Sequence, residues 1–207
     1  MNQQQIFLGG VYESDSAPYP MRDVAFDNDV VMYDVRWPNK VEWAMAKLRG
    51  TFTYYRLDRK YFESHSRALQ REPLSELELK VHRPDLPFAF AQWTSLSWYE
   101  PWQESDGMIN DSRLATSLHL DVPAIFIAPF GPKDSAKPPV LVQAENGKSF
   151  SEAELLLTAH KIQAPFIGHT RHTSGVGIYR AGIKNRLPSF YLWGARSRLE
   201  APVQNAV

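Results

Sequence analysis

The residues in this chain best suited to chemistry on a phosphate lie near its C-terminal end. His169, Arg171 and His172 fall within Gly168-His-Thr-Arg-His-Thr-Ser-Gly175-Val-Gly177, with His160 just upstream. RNA cleavage without a metal needs one group to take the 2′-hydroxyl proton and another to protonate the leaving oxygen. Imidazole, which titrates near neutrality, suits both tasks. His160, His169 and His172 are therefore the catalytic candidates for a metal-independent endoribonuclease. Binding alone asks less. Arg171 offers a planar fork matched to phosphate. Gly168, Gly175 and Gly177 let the backbone take positive φ and come close to another molecule. Successive backbone N–H groups in such a turn make an anion-binding concavity, and Ser174 adds a hydroxyl. On this reading the histidines are neutral hydrogen-bond donors. The plainest alternative is an ordinary helix-to-strand connection broken by glycines. His169 and His172 sit three apart with no carboxylate partner in the segment, so no metal site is assigned, and no cofactor motif accompanies them.

The elements around this loop are marked in the sequence. Ser151 is a helix cap, Glu154 stands three residues on as its capping-box partner, and Phe150 can staple onto Leu155. Leu155, Ala159 and Ile162 recur at helical spacing, and Pro165 is expected to end the helix. Val176–Arg180 reads as the strand that leaves the loop.

Charge is distributed unevenly. Between Glu154 and Glu200 there is no acidic residue, while the same stretch carries Lys161, Arg171, Arg180, Lys184, Arg186, Arg196 and Arg198. The whole chain has 23 basic and 23 acidic residues. A basic third is thus set against an acidic remainder, an asymmetry that points to a polyanionic partner. It counts less if these side chains scatter over several faces. With Ile167, Gly168, Arg171, Gly175 and Gly177 following a helix and preceding a strand, the loop resembles the glycine-rich loop of the CRISPR RAMP superfamily. That resemblance covers roughly 30 residues. It implies a ferredoxin-like, RRM-related fold and an RNA-binding subunit of a CRISPR effector complex, in which this loop contacts the RNA backbone. Some members process guide RNA with a histidine, and others hold its 5′ handle or backbone.

Composition sets outer bounds. The chain has 207 residues, 43% of them hydrophobic, which fits a single α+β domain over 1–207 with a real core. There is no cysteine, so disulfides and thiolate metal sites are excluded. No apolar run approaches membrane-spanning length, and the N-terminus lacks the pattern of a signal peptide. No membrane partner and a cytoplasmic location are expected. HExxH, Walker, GxSxG and thiol-nucleophile motifs are absent.

In chain order, residues 6–12 read as a strand and 13–29 as a loop carrying Pro18 and Pro20. Val30–Trp37 is a strand. Pro38–Asn39 opens a helix to Arg49, with Val41, Met45 and Leu48 on one face, and Thr51–Leu57 is the next strand. That strand–helix–strand run fits half of a ferredoxin-like unit or a piece of another α+β fold. Residues 59–72 read as a charged helix. Leu77, Leu79 and Val81 alternate as a half-buried strand. Phe88, Phe90, Trp93, Trp98, Tyr99 and Trp102 crowd among prolines, as core, protein-docking surface or base-stacking platform. Residues 84–138 form a candidate inserted subdomain around this segment. Ala115–Val122, Ala124–Ala128, Val140–Gln143 and Ser189–Trp193 read as strands, with His119 half-buried on the first. Pro129–Pro139 reads as a loop.

The expected architecture is α+β: a ferredoxin-like or RRM-like antiparallel sheet with helices and an aromatic-rich insertion. The leading function is a non-catalytic RNA-binding subunit that partners guide RNA and other proteins of a complex. It would grip RNA through Gly168, His169, Arg171, His172, Ser174, Gly175 and Gly177, with Arg180, Lys184, Arg186, Arg196 and Arg198 as the supporting field. The alternatives are the guide-processing endoribonuclease and a protein-binding adaptor or immunity protein.

Overall fold

A computed structural model of the chain describes residues 5–15, 17–35, 40–92, 95–97, 119–131, 135–167, 172–174 and 176–194. The fold is mixed α+β, built on a large, mostly antiparallel open sheet with a few helices. The chain divides into two compact units, residues 1–88 with 181–188, and residues 89–180 with 189–207.

An antiparallel meander opens the first unit: β1 (Gly10–Ser14), β2 (Met21–Phe26) and β3 (Val30–Val35). The Asp27 carboxylate accepts the backbone N–H groups of Asp29 and Val30 at 2.8 Å each, which turns the chain between β2 and β3. The loop expected over 13–29 therefore holds a strand. Arg22 and Asp23 conceal it, since both charged residues are buried. Helix α1 (Lys40–Arg49) stops at Gly50, whose φ of +58° suits glycine. β4 (Phe52–Asp58) then lies directly beside β3, antiparallel, with Val31 opposite Leu57.

The helix expected over 59–72 splits in two. Asp58 caps α2 (Arg59–His65) by accepting from Tyr61 N–H at 2.9 Å. From Ser66 the chain extends as β5 (Ser66–Arg71) along the free side of β1. Residues 77–81 form a helix rather than a strand, α3 (Glu76–His82). Ser75 Oγ accepts from Glu78 N–H at 3.3 Å and Glu78 accepts from Ser75 N–H at 3.0 Å, a full capping box. Five alternating residues could not outweigh that start signal.

Both faces of these strands are covered. One carries Ile6, Tyr12, Met21, Val31 and Tyr33 with Phe62 of α2. The other carries Val24, Ala25, Met32, Phe52, Tyr54 and Ile183, with Trp43 and Ala46 of α1 and Val81 of α3 packed on it. A bulge between Asp23 and Ala25 lets Val24 and Ala25 join the same cluster. Strands buried on both sides read as apolar runs rather than alternation. The apolar face read on α1 is turned outward: Val41 is 68% exposed, Met45 38% and Leu48 71%. Residues 182–183 complete this unit by pairing with β4, Gly182 opposite Thr53 and Ile183 opposite Phe52.

The second unit begins with β6 (Ala89–Gln92), β7 (Ser95–Ser97), β8 (His119–Leu120), β9 (Ala124–Ala128) and β10 (Val140–Gln143). After β11 (Phe150–Ser151) come α4 (Glu152–Ile167), β12 (His172–Ser174), β13 (Val176–Lys184) and β14 (Leu187–Gly194). Its ladder runs β10-β9-β14-β13, with β6 also on β13. β9 and β14 are parallel, Phe126 opposite Ser189, and β10 pairs antiparallel with β9. β11–β8 and β12–β7 are short antiparallel ribbons. Ile125, Ile127, Phe150, Leu155 and Phe190 are buried here. Most of the aromatic-rich segment, 98–118 with Trp93, lies outside the described residues, as do Arg196 and Arg198. No helix among the described residues is long and apolar enough to cross a membrane.

Candidate nucleic-acid-binding segment

Helix α4 delivers the chain to the loop, and its start is built as its sequence implies. Glu154 N–H donates to Ser151 Oγ at 3.2 Å, and Ser151 N–H donates to the Glu154 carboxylate at 3.4 Å. The second Glu154 oxygen accepts from Glu145 N–H at 2.7 Å, tying the preceding turn to the helix. Phe150 and Leu155, the staple pair, are both fully buried.

The inward face of α4 is Leu155, Leu156, Ala159 and Gln163, while Ile162 is half-buried. Gln163 is a polar residue on an apolar face with a definite task. Its amide oxygen accepts from Phe130 N–H at 3.0 Å and its amide nitrogen donates to Phe130 C=O at 2.6 Å. It thereby satisfies a backbone pair that has left the ladder beyond β9. Pro165 does not end the helix, which continues to Ile167. Proline there removes the bond to the Lys161 carbonyl, and only two more residues follow before the helix ends.

Gly168, His169, Arg171 and Gly175, the centre of the expected loop, lie outside the described residues. The residues around them do not. His172 and Ser174, expected in an irregular loop, belong to strand β12, with His172 opposite Ser97 and Ser174 opposite Ser95. Gly177 is buried in β13, opposite Gln92, and the register shifts further on, between Ile178 and Tyr179. The connection that bears Arg171 is thus held between a capped helix and a paired strand. His160 lies on α4. His119, expected half-buried, is exposed at the start of β8.

The basic residues that follow do not share one setting. Arg180 is 2% exposed, buried within β13, so it does not present its guanidinium to solvent as a phosphate contact would require. Lys184 is half-exposed and Arg186 exposed. They flank Asn185 in the β13–β14 turn, where Asn185 and Arg186 have φ of +49° and +66°. Arg186 N–H donates to Gly50 C=O at 2.8 Å and Asn185 N–H to Thr51 Oγ1 at 3.2 Å, which hold that turn. The turn belongs to the first unit and the loop to the second.

A second concentration of ionisable groups, missed in the sequence, lies in the first unit. Arg22 Nη2 meets Asp34 at 2.9 Å and Nε meets its other oxygen at 3.3 Å, a bidentate pair. Arg22 Nη1 reaches Glu78 at 3.0 Å, and its guanidinium lies 4.9 Å from the centre of the Trp43 ring. Burial alone would lower the Arg22 pKa, but the Asp34 charge and hydrogen bonds outweigh it and raise it. At Glu78 the desolvation that raises its pKa is overcome by Ser75 N–H and Arg22, leaving it at about 2.

Asp23 is different. It is fully buried and neither carboxyl oxygen has a hydrogen-bond partner. Burial, and then the charge of Asp34, push it up to about 8. His82 is also buried, its Nδ1 bonded to the Tyr54 hydroxyl. The signal for this cluster was charge inside the two β-branched and Met-rich runs MRDVAF and VVMYDV. No cluster of three or more metal-ligating side chains occurs among the described residues. Compared with known proteins, the chain matches no family model, no curated protein and no solved structure.

Proposed function

We propose that this chain is a non-catalytic RNA-backbone-binding subunit of a CRISPR-type effector complex, with the 167–177 connection as its grip. The observation that carries the reading is the stretch from Leu155 to Leu199, which is free of acid and brings Arg171 and three glycines between α4 and β13. Nothing in that stretch repels phosphate. The connection follows a capped helix and precedes a paired strand, and successive backbone N–H groups of a glycine-rich turn suit an anion. Arg180 is buried and serves the fold rather than the grip. The finer class we propose is a ferredoxin-like or RRM-like subunit. It rests on the loop, because in the first unit β3 and β4 are adjacent antiparallel strands, whereas the ferredoxin-like unit is a split βαβ.

Filter binding of a labelled single-stranded RNA at several salt concentrations tests the reading. Affinity should fall with salt in proportion to the phosphates neutralised. Arg171→Ala should cost about 1–3 kcal/mol. Gly175→Val should cost more by blocking backbone approach. Cleavage of the RNA, lost in His169→Ala or His172→Ala with binding retained, would replace this reading with the endoribonuclease. Binding that neither variant alters would remove the loop assignment. Absence of RNA binding would leave the protein-binding adaptor.

A further inference from the structure

Helix α1 has two sides. Trp43 and Ala46 pack inward. On the side directly opposite, Val41, Ala44, Met45 and Leu48 are all exposed, at 68% for Val41 and 71% for Leu48. At 100° per residue these four occupy an arc of about 100°, with the i, i+3, i+4, i+7 spacing of a seam between packed helices. Neither core cluster of the first unit includes any of the four.

The charges beside the stripe select its occupant. Glu42 and Arg49 are both exposed and flank the stripe along the same edge, two turns apart, one toward each end. Lys47, near the opposite edge, turns toward its own chain, 3.6 Å from Glu78 and over the Trp43 ring. A helix laid antiparallel on the stripe must offer a basic residue opposite Glu42 and an acidic one opposite Arg49. It must also offer apolar residues opposite Val41 and Leu48. A second copy of α1 offers all four. About a two-fold axis near Met45, Val41 meets Leu48 of the second copy, Met45 meets its equivalent, and Glu42 meets Arg49 twice. A parallel two-fold copy would carry its own Glu42 and Arg49 to the opposite edge of the seam, where neither meets its complement. We propose that α1 is a self-association surface and that the chain forms an antiparallel, two-fold homodimer through it.

Ten residues make a helix about 15 Å long, a smaller footprint than a standard stable interface of roughly 1,200–2,000 Å². The dimer is therefore reversible. Sedimentation velocity of the full chain from about 1 to 100 μM should show its mass rising from monomer toward dimer over this range. Leu48→Glu should hold it at monomer mass. Glu42→Arg and Arg49→Glu should each do the same alone, by setting like charges together. Mixing those two variants should restore the dimer, because each then presents the charge that the other lacks. All these positions are exposed, and unchanged far-ultraviolet circular dichroism verifies that each variant is folded. Wild-type chain that stays monomeric to the top of the range overturns the proposal and leaves the stripe to a different protein. Failure of the mixed variants to associate overturns it equally, even if the wild type dimerises, since the dimer would then use another surface.

Discussion

Replacing Asp23 with asparagine should make this protein more stable at neutral pH and remove much of the pH dependence of that stability. Asp23 is buried without a hydrogen-bond partner, and burial followed by the Asp34 charge raises its carboxyl from 3.8 to about 8. At pH 7 the folded chain holds this proton and the unfolded chain has released it. The difference of about three units between the unfolded pKa and pH 7 corresponds to roughly 4 kcal/mol of stability lost. The sign is the reverse of a salt-bridged carboxylate. Between about pH 4 and pH 8 the folded state binds more protons than the unfolded state, so stability falls as pH rises, and it levels off above the folded pKa. An asparagine amide does not titrate. The variant should gain up to about 4 kcal/mol at pH 7, less about 1 kcal/mol if its amide stays unsatisfied. Urea denaturation at intervals of pH, read by tryptophan fluorescence, measures both profiles. Parallel profiles for wild type and Asp23→Asn would show that Asp23 is paired or solvated in the folded chain, and the reasoning would be wrong.

Three further outcomes follow from packing. Gly182→Ala should cost upwards of about 2 kcal/mol in urea denaturation, since φ is +146° there and an added Cβ would meet the Phe52 carbonyl oxygen. Gln163→Leu should cost about 2–4 kcal/mol by stranding the N–H and C=O of Phe130, and hydrogen exchange at Phe130 should accelerate. Arg22→Met should cost about 3–5 kcal/mol, because it leaves Asp34 charged and buried alone. Arg22→Met with Asp34→Leu should recover most of that loss in the same assay.

Local signals were legible where a single mechanism dominates. The Ser151–Glu154 box and its Phe150–Leu155 staple place α4 from sequence, and the β-branched runs place β3 and β9. The identical logic at Ser75 and Glu78 was outweighed by the alternation of Leu77, Leu79 and Val81, although a capping box is the more specific signal. β2 was illegible because its charges, Arg22 and Asp23, mark solvent in a sequence, and the partner that buries Arg22 lies on another strand. α1 was legible as a helix and misleading as to its face. Trp43 and Ala46 anchor it, and the more obvious apolar stripe faces water. At the candidate site, the helix and the exit strand were readable. The burial of Arg180 was not, since a basic residue on a strand carries no mark of which side it faces.

The pairing of β4 with β13 has a consequence during synthesis. Phe52 and Thr53 meet partners that the ribosome adds about 130 residues later. At roughly 5–20 residues per second, one edge of β4 stands open for on the order of ten seconds while residues 89–180 of the second unit are translated. A nascent chain in that interval presents a nearly finished sheet with a vacant backbone edge. Expression yield should therefore depend on how fast residues 89–180 are translated and on whether a chaperone shields that edge until Gly182 emerges.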